Sequence, residues 1–297
     1  MKQLYLLDGS WYIFRAYYGL PELHDPDGHN VNAIFGFFRM LFRLRQDRPD
    51  WFVIARDAPT RTARKEINED YKSNRVSMPD EFQWQMTMIK ELVAQLQIPS
   101  LEMPGFEADD IIATVAKTYQ KRNDMNVKIV SSDKDLKQLI TDGVVMFDAM
   151  KNITTDQKSF QQEYGFHPSS MLDYLTLVGD SSDNIKGVPW IGAKGAAKLV
   201  QEFWTIDNIY ANIDKINGGV KDKLIAGKEQ AYASRTLVSL MDTPGCDIPL
   251  ERRHCNTYDF DMMKRILVEE YAFHSLEKII DELKKQRQGG EQLSLFG

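Results

Sequence analysis

Three short apolar runs, at residues 4–7, 51–55 and 127–130, are continuous rather than alternating, the pattern of strands buried on both faces. Stretches with helical spacing separate them, which predicts an α/β fold with a parallel sheet and helical crossovers. Residues 144–147 predict a fourth strand. Between the second and third strands, residues 79–97 place Phe82, Met86, Ile89, Val93 and Leu96 on one side of a helix, a stripe assigned to the core. Pro79 suits the first turn of that helix, which leaves residues 71–78 as a bridge or short helix before it. From Phe160 to about Lys285 the spacing predicts mostly helix, and Gly289-Gly290 is expected to break it and release a short apolar tip.

Acids follow the strands. Asp8, Asp57, and the pair Asp133 and Asp135 stand at three strand ends, while Asp148 is read as a turn residue. One such acid is ordinarily a helix cap or turn former. Three, on a parallel sheet, meet at the carboxyl edge where ligands bind, and a shared ligand is the simpler account. Further acids come in tight groups: Glu107, Asp109 and Asp110, then Asp180 and Asp183. Glu107 and Asp110 would share a helical face, as would Asp180 and Asp183, and Asp133 and Asp135 would point the same way if extended. Two unit charges about 4 Å apart repel by about 4 kcal/mol at an effective dielectric of about 20, so the group needs counter-charge. Hard oxygen donors of this kind suit Mg²⁺ or Mn²⁺.

The chain has 297 residues, 43% hydrophobic and 27% charged, enough for one large domain or two lobes. Its formal net charge of −6 argues against a nucleic-acid partner until the distribution is considered. Arg56, Arg61, Arg64, Lys65, Lys72 and Arg75 fall within twenty residues, and metals would neutralise many of the acids. No leader and no membrane-spanning apolar run is evident, so a cytoplasmic protein is expected. Cys246 and Cys255, beside His254, match neither a zinc site nor a disulfide framework.

Gly187, Gly192 and Gly195 with Lys194 read as a helix-hairpin-helix, whose glycines let backbone approach phosphate and whose next helix begins with amides facing the anion. Such an element grips duplex DNA without reading its sequence. Arg15 is a candidate phosphate contact, with an ordinary ion pair as the competing assignment.

Six motifs carry a resemblance: Asp8-Gly-Ser, Asp57-Ala, Gly105-Phe-Glu-Ala-Asp-Asp110, Ser132-Asp-Lys-Asp135, Gly179-Asp-Ser-Ser-Asp-Asn-Ile185 and Gly187-Val-Pro-Trp-Ile-Gly-Ala-Lys194. Their order resembles that of the 5′-nuclease family, which includes domains of bacterial DNA polymerase I and phage flap endonucleases, over about residues 4–280. The resemblance implies one metal group of Asp8, Asp57, Glu107, Asp109 and Asp110 and another of Asp133, Asp135, Asp180 and Asp183, together holding two or more Mg²⁺ or Mn²⁺ ions, and a K⁺ on hairpin carbonyls. It also implies a basic bridge at about residues 58–90, in which Lys72 and Arg75, with Arg64 nearby, act on the reacting phosphate and Tyr71 stacks on a terminal base. Arg56, where the family usually has an apolar residue, and Trp190, at a usually small position, depart from the pattern.

The expected architecture is an α/β parallel-sheet nuclease core at 1–160, a mostly helical C-terminal lobe at 161–285 containing a helix-hairpin-helix at about 180–200, and a tail at 286–297. In that tail Gln292, Leu293, Leu295 and Phe296 resemble the short peptide that binds the bacterial sliding clamp. The expected activity is metal-dependent 5′-3′ exonuclease and flap-endonuclease cleavage of branched, 5′-ended or RNA-primed DNA, by a monomer, leaving 5′-phosphate and 3′-hydroxyl ends. A metal ribonuclease on a similar sheet would lack the bridge and the helical lobe, and a non-catalytic junction binder would not need the full carboxylate set.

Overall fold

The computed structural model describes residues 1–122, 124–246 and 258–294, with side chains described as far as Arg287; His254 and Cys255 lie outside the described residues. Its centre is a six-stranded sheet of order β3-β2-β1-β4-β5-β6. The strands are β1 (Lys2–Asp8), β2 (Trp51–Arg56), β3 (Ser100–Glu102), β4 (Met125–Val130), β5 (Val144–Asp148) and β6 (Ile153–Thr155). All neighbours run parallel except β6, which is antiparallel to β5. The four apolar runs became β1, β2, β4 and β5; the three-residue strands β3 and β6 are too short to leave a period in the sequence. Asp148 closes β5 by accepting the amides of Met150 and Lys151, as a turn residue does.

Alternate residues of one strand serve two cores. Leu4 and Leu6 of β1 and Val53 of β2 pack on one face, while Tyr5 and Leu7 of β1 and Ile54 of β2 pack on the other. On the second face lie α1 (Gly9–Gly19), α2 (Asn32–Arg45) and, beyond the short α3 (Ala63–Ile67), α4 (Asp80–Gln95), with Phe82, Ile89 and Val93 buried as the stripe predicts. Pro79 is the residue that caps α4 rather than one in its first turn. On the first face lie α5 (Ala108–Tyr119), α6 (Gln157–Tyr164), α7 (Met171–Val178), α8 (Ala193–Phe203), α9 (Ile206–Ala211), α10 (Gly219–Ala226) and α11 (Lys228–Val238).

The C-terminal segment does not join that helical lobe, as the 161–285 boundary supposed. Residues of α12 (Phe260–Met263) and α13 (Glu277–Ser294), among them Phe260, Met263, Ile280 and Leu283, return to the second face and pack with α1, α2 and α4. Phe273 meets Phe35 edge-on with 5.3 Å between ring centroids, and Gln46 donates to Glu282 at 2.9 Å. Helical periodicity gives the apolar stripe but not the face it will cover. Nor does Gly289-Gly290 stop α13, whose backbone continues to Ser294. Two glycines cost a helix about 1 kcal/mol each without forbidding it, and Gln and Glu flank them. Gln292 and Leu293 fall on that last stretch; Leu295 and Phe296 lie outside the described residues.

Between α7 and α8 the chain makes a two-residue strand pair, β7 (Gly179–Asp180) with β8 (Ile185–Lys186), then turns through Gly187 and Trp190 into α8. Gly179 has φ +75°, and a side chain on Gly187 would overlap the carbonyl of Leu177 and the backbone of Val178. Glycine is required at both positions by close backbone approach. Gly187→Ala should therefore destabilise the protein by about 1–3 kcal/mol. Gly219→Ala, which meets open space at the start of α10, should be neutral or slightly stabilising. Thermal melting of both variants checks this, and an unperturbed Gly187→Ala would refute the close approach.

Candidate active site

The strand order brings the ends of β2, β1 and β4 side by side, which carries their acids to one edge. Asp8 caps α1, accepting the amide of Trp11 at 3.0 Å and the hydroxyl of Ser131 at 2.8 Å, and is 3% exposed. Asp57 accepts the amide of Ala108 at 2.8 Å, and its own amide is held by Ser10. That contact ties the end of β2 to the start of α5, where Glu107 and Asp110 cap the helix reciprocally and Asp109 sits between them. Asp133 takes its place through the hydroxyl of Ser131 and the amide of Asp135. Asp180 accepts both the amide and the hydroxyl of Ser182, at 2.9 and 2.7 Å.

Asp180 ends β7 and Asp183 lies on the tight turn that follows, neither on a helix, and Asp135 opens a short 3₁₀ turn rather than extending a strand. They converge all the same. One carboxylate oxygen from each of Asp135, Asp180 and Asp183 lies within 4.8 Å of the others. Asp8, Asp57, Asp109 and Asp133 line one cleft of about 800 Å³ with Lys72 and Arg75. Burial pushes the Asp8 carboxyl up to about 7, with Asp57 and Asp133 adding to the effect. Burial also raises Asp135 to about 7, reinforced by Asp133 and Asp180, and lifts Asp109 well above the usual carboxylate range. One buried oxygen of Asp135 has no hydrogen-bond partner among the described residues. An orphaned carboxylate oxygen beside two more carboxylates is what a divalent cation with hard oxygen ligands would satisfy, so the donor set fits such an ion.

The basic bridge is folded onto these acids. Lys72, with φ +55°, places its ammonium 2.7 Å from Glu107 and 3.7 Å from Asp183, and its amide donates to the Asp183 carbonyl. Arg75 pairs with Asp183 at 2.6 Å. Lys134, which sequence reading passed over between two aspartates, pairs with Asp180 at 2.9 Å. Ser10, Ser131 and Ser182 are further positioning residues without a sequence signal stronger than lying within two residues of an acid.

Five assignments change. Asp133 lines the cleft with Asp8, Asp57 and Asp109 rather than joining the cluster of Asp135, Asp180 and Asp183, and Glu107 is engaged by Arg64, Lys72 and Tyr71. Tyr71 is 2% exposed and donates its hydroxyl to Glu107 and Asp183, so it holds two acids and has no face for a terminal base. Arg64 is 4% exposed and fully engaged: both terminal nitrogens on Asp110 at 2.7 Å, one also on Glu107, and two donations to the carbonyls of Leu237 and Ser239. It joins α3 and α5 to the end of α11 and cannot reach a phosphate in this arrangement. Asp110, which also accepts the amides of Met241 and Glu107, is spent on that joint and supports the metal-facing acids from behind.

Arg15 is exposed on the cleft wall, its guanidinium 5.6 Å above the Trp11 ring. Arg56 points away from the acids, 3.5 Å from Glu102 of β3. Lys194, Gly192 and Gly195 are exposed at the start of α8, while Trp190 is 86% exposed with φ +65°.

These geometries separate two neutralising substitutions. In chelator, Asp135→Asn should stabilise the protein. The folded state holds a proton on Asp135 up to about pH 7 that the unfolded chain releases near 3.8, so wild-type stability falls across that window. The gain should grow from about pH 4 and level off above about pH 7. Asp110→Asn should instead lower stability by about 3–5 kcal/mol at neutral pH, because it strips a buried guanidinium of its partner. Melting curves from pH 4 to 8 discriminate; equal shifts in both variants would contradict the separation.

Residues 3–165 match the family model described as 5′-3′ exonuclease, N-terminal resolvase-like domain, and residues 166–261 match 5′-3′ exonuclease, C-terminal SAM fold. A 5′-3′ exonuclease of Aquifex aeolicus is 36% identical over 297 residues, covering all of both chains. The DNA polymerase I of Borreliella burgdorferi is 38% identical across the whole chain, which spans 33% of that polymerase. In fold, the chain is similar to the T5 5′-exonuclease with bound zinc (TM-score 0.68, 20% identity, 97% of this chain and 99% of that one). It is also similar to the catalytic core of Rad2 in complex with DNA substrate (TM-score 0.62, 17% identity, 95% and 92%). With the acid-edged sheet, both domain matches and a full-length relative in agreement, the chain belongs to the 5′-3′ exonuclease family.

Proposed function

We propose that this nuclease hydrolyses DNA phosphodiesters at 5′ ends and at the base of 5′ flaps, in replication and repair, leaving 5′-phosphate and 3′-hydroxyl products. The observation that carries the reading is a cleft lined by Asp8, Asp57, Asp109 and Asp133 together with a second carboxylate cluster of Asp135, Asp180 and Asp183, with Lys72 and Arg75, which line the cleft, paired to Asp183. Asp8, Asp57, Asp109 and Asp133 would hold one divalent cation and Asp135, Asp180 and Asp183 another, with Mg²⁺ or Mn²⁺ suited to the oxygen donors. Bound there, such ions supply an activated water and stabilise the leaving 3′-oxygen.

The protein's own residues do the rest. Glu107 and Asp110 keep Asp109 oriented through the helix cap, and Arg64 fixes that cap to the helical lobe. Lys72 and Arg75 are long cations paired with acids that metal ions would neutralise, so they can turn toward the scissile phosphate and stabilise charge on its non-bridging oxygens. Arg15, exposed on the cleft wall, is suited to a phosphate beyond the cut. The exposed start of α8, with Gly187, Gly192, Lys194 and Gly195, suits the duplex backbone, and hairpin carbonyls suit a K⁺ ion. A single copy carries every residue named. RNA-primed 5′ ends fit the same phosphate-directed contacts.

Matched end-labelled 5′-flap, nicked, blunt, single-stranded and RNA-primed substrates, with Mg²⁺, Mn²⁺ or chelator, test the reaction; cleavage that survives chelation would end the metal reading. Lys72→Ala should lower the single-turnover rate about 10²–10³-fold. Lys194→Ala should mainly raise the dissociation constant for duplex substrate, and reversed phenotypes would mean that bridge and hairpin roles are misassigned.

The segment Gln292-Leu-Ser-Leu-Phe296 supports, by sequence alone, a sliding clamp as partner, with Leu293, Leu295 and Phe296 as apolar anchors. Calorimetry against the host clamp should show binding in about the micromolar range for the full chain and none after truncation at Gln288. Equal affinities would leave the tail without this role.

A further inference from the structure

Positive charge is spread unevenly over the two carboxylate groups. Among the described residues no ion pair reaches Asp8, Asp57 or Asp109, whereas Lys72 and Arg75 pair with Asp183 and the ammonium of Lys134 lies 2.9 Å from Asp180. That Asp180 oxygen already accepts twice from Ser182 and belongs to a carboxylate 4% exposed, and the same ammonium faces Asp135 and Asp133. Its setting differs from that of Arg64. Arg64 is buried and fixed by carbonyls as well as acids, while the Lys134 side chain is 44% exposed on a four-carbon stem with Asp180 as its one ion-pair partner among the described residues. A cation held in this way balances the acids yet can leave.

We propose that Lys134 is the resident counter-cation of Asp180, beside Lys72 and Arg75 on Asp183, that a divalent cation must displace it from Asp180, and that this competition makes the Asp135, Asp180 and Asp183 group the weaker of the two metal positions. The proposal rests on the metal assignment made above. An ammonium against one ligand repels an arriving divalent ion and occupies a lone pair the ion needs, so every binding event includes the cost of parting Lys134 from Asp180. When displaced, the side chain swings outward on its exposed stem, and the acids it had balanced are balanced by the ion. The first group, without such an occupant, carries no equivalent cost. Occupancy of the second position then follows the concentration of the free ion.

Isothermal titration with Mn²⁺ alone, without DNA, tests this on the full chain. The wild type should bind in two steps, and Asp180→Asn should remove the weaker. Lys134→Met should tighten the weaker step about tenfold, the effect of removing one partly screened charge beside a divalent ion, and change the stronger, whose Asp133 the ammonium also faces, far less. Lys134→Arg, which keeps the charge, should resemble the wild type. Melting supplies a second readout: Lys134→Met should be less stable than wild type in chelator and regain wild-type stability in saturating Mn²⁺. An unchanged or weakened second step, or equal destabilisation with and without Mn²⁺, would overturn the role of Lys134. Failure of wild type and variant alike to bind Mn²⁺ would overturn the metal assignment itself.

Discussion

Like charges gathered in a poorly solvated cleft must be compensated, and the structure follows from how that is done. Seven carboxylates, from Asp8, Asp57, Asp109, Asp133, Asp135, Asp180 and Asp183, converge on one sheet edge, and burial pushes several of them toward their neutral form. Cations answer on two sides: Lys72, Arg75 and Lys134 at the acids themselves, and Arg64 behind them on Asp110 and Glu107. Two kinds of compensation are visible. Arg64 with Asp110 is a fixed joint, sealed by backbone carbonyls and nearly inaccessible, and a buried pair of that kind contributes mainly through the cost of breaking it. Lys72, Arg75 and Lys134 are more exposed and long enough to move, so they stabilise the acids and remain available to a phosphate or to solvent once the acids are neutralised otherwise.

The joint also explains why the site and the helical lobe fold as one object. Arg64 reaches from α3 to the last carbonyls of α11, and Asp110 accepts the amide of Met241 just beyond. Lys72 donates its amide to the carbonyl of Asp183, and Asn184 bonds back to the carbonyl of Asp70. The bridge is thereby stitched to the turn that carries Asp180 and Asp183, immediately before the glycine hairpin. Placement of the glycine hairpin and placement of acids by the sheet are linked through a few short hydrogen bonds.

Much of this was legible in the sequence because two periodicities and one topology suffice. Continuous apolar runs gave strands buried on both faces, and acids at their carboxyl ends had to meet once the strands were parallel. What escaped has physical reasons. Tyr71, Arg64 and Asp110 stand among site residues in the chain, but only tertiary contact decides whether a polar side chain faces the cleft or is consumed behind it. Lys134 drew no notice because a lysine between two aspartates is also an ordinary solvated pattern. The return of α12 and α13 to the far face, and the passage of α13 through a glycine pair, depend on packing that local propensity does not encode.

The central claim is that the carboxylates are metal-holding and that the bridge cations are provisional occupants of their charge. Diffraction from crystals of the protein in Mn²⁺, measured for anomalous scattering, addresses it directly. The account predicts two peaks, one among Asp8, Asp57, Asp109 and Asp133 and one among Asp135, Asp180 and Asp183, with Lys134 moved off Asp180 and Arg64 unmoved on Asp110. A cleft without anomalous signal at saturating Mn²⁺, with Lys72, Arg75 and Lys134 still seated on the acids, would contradict it.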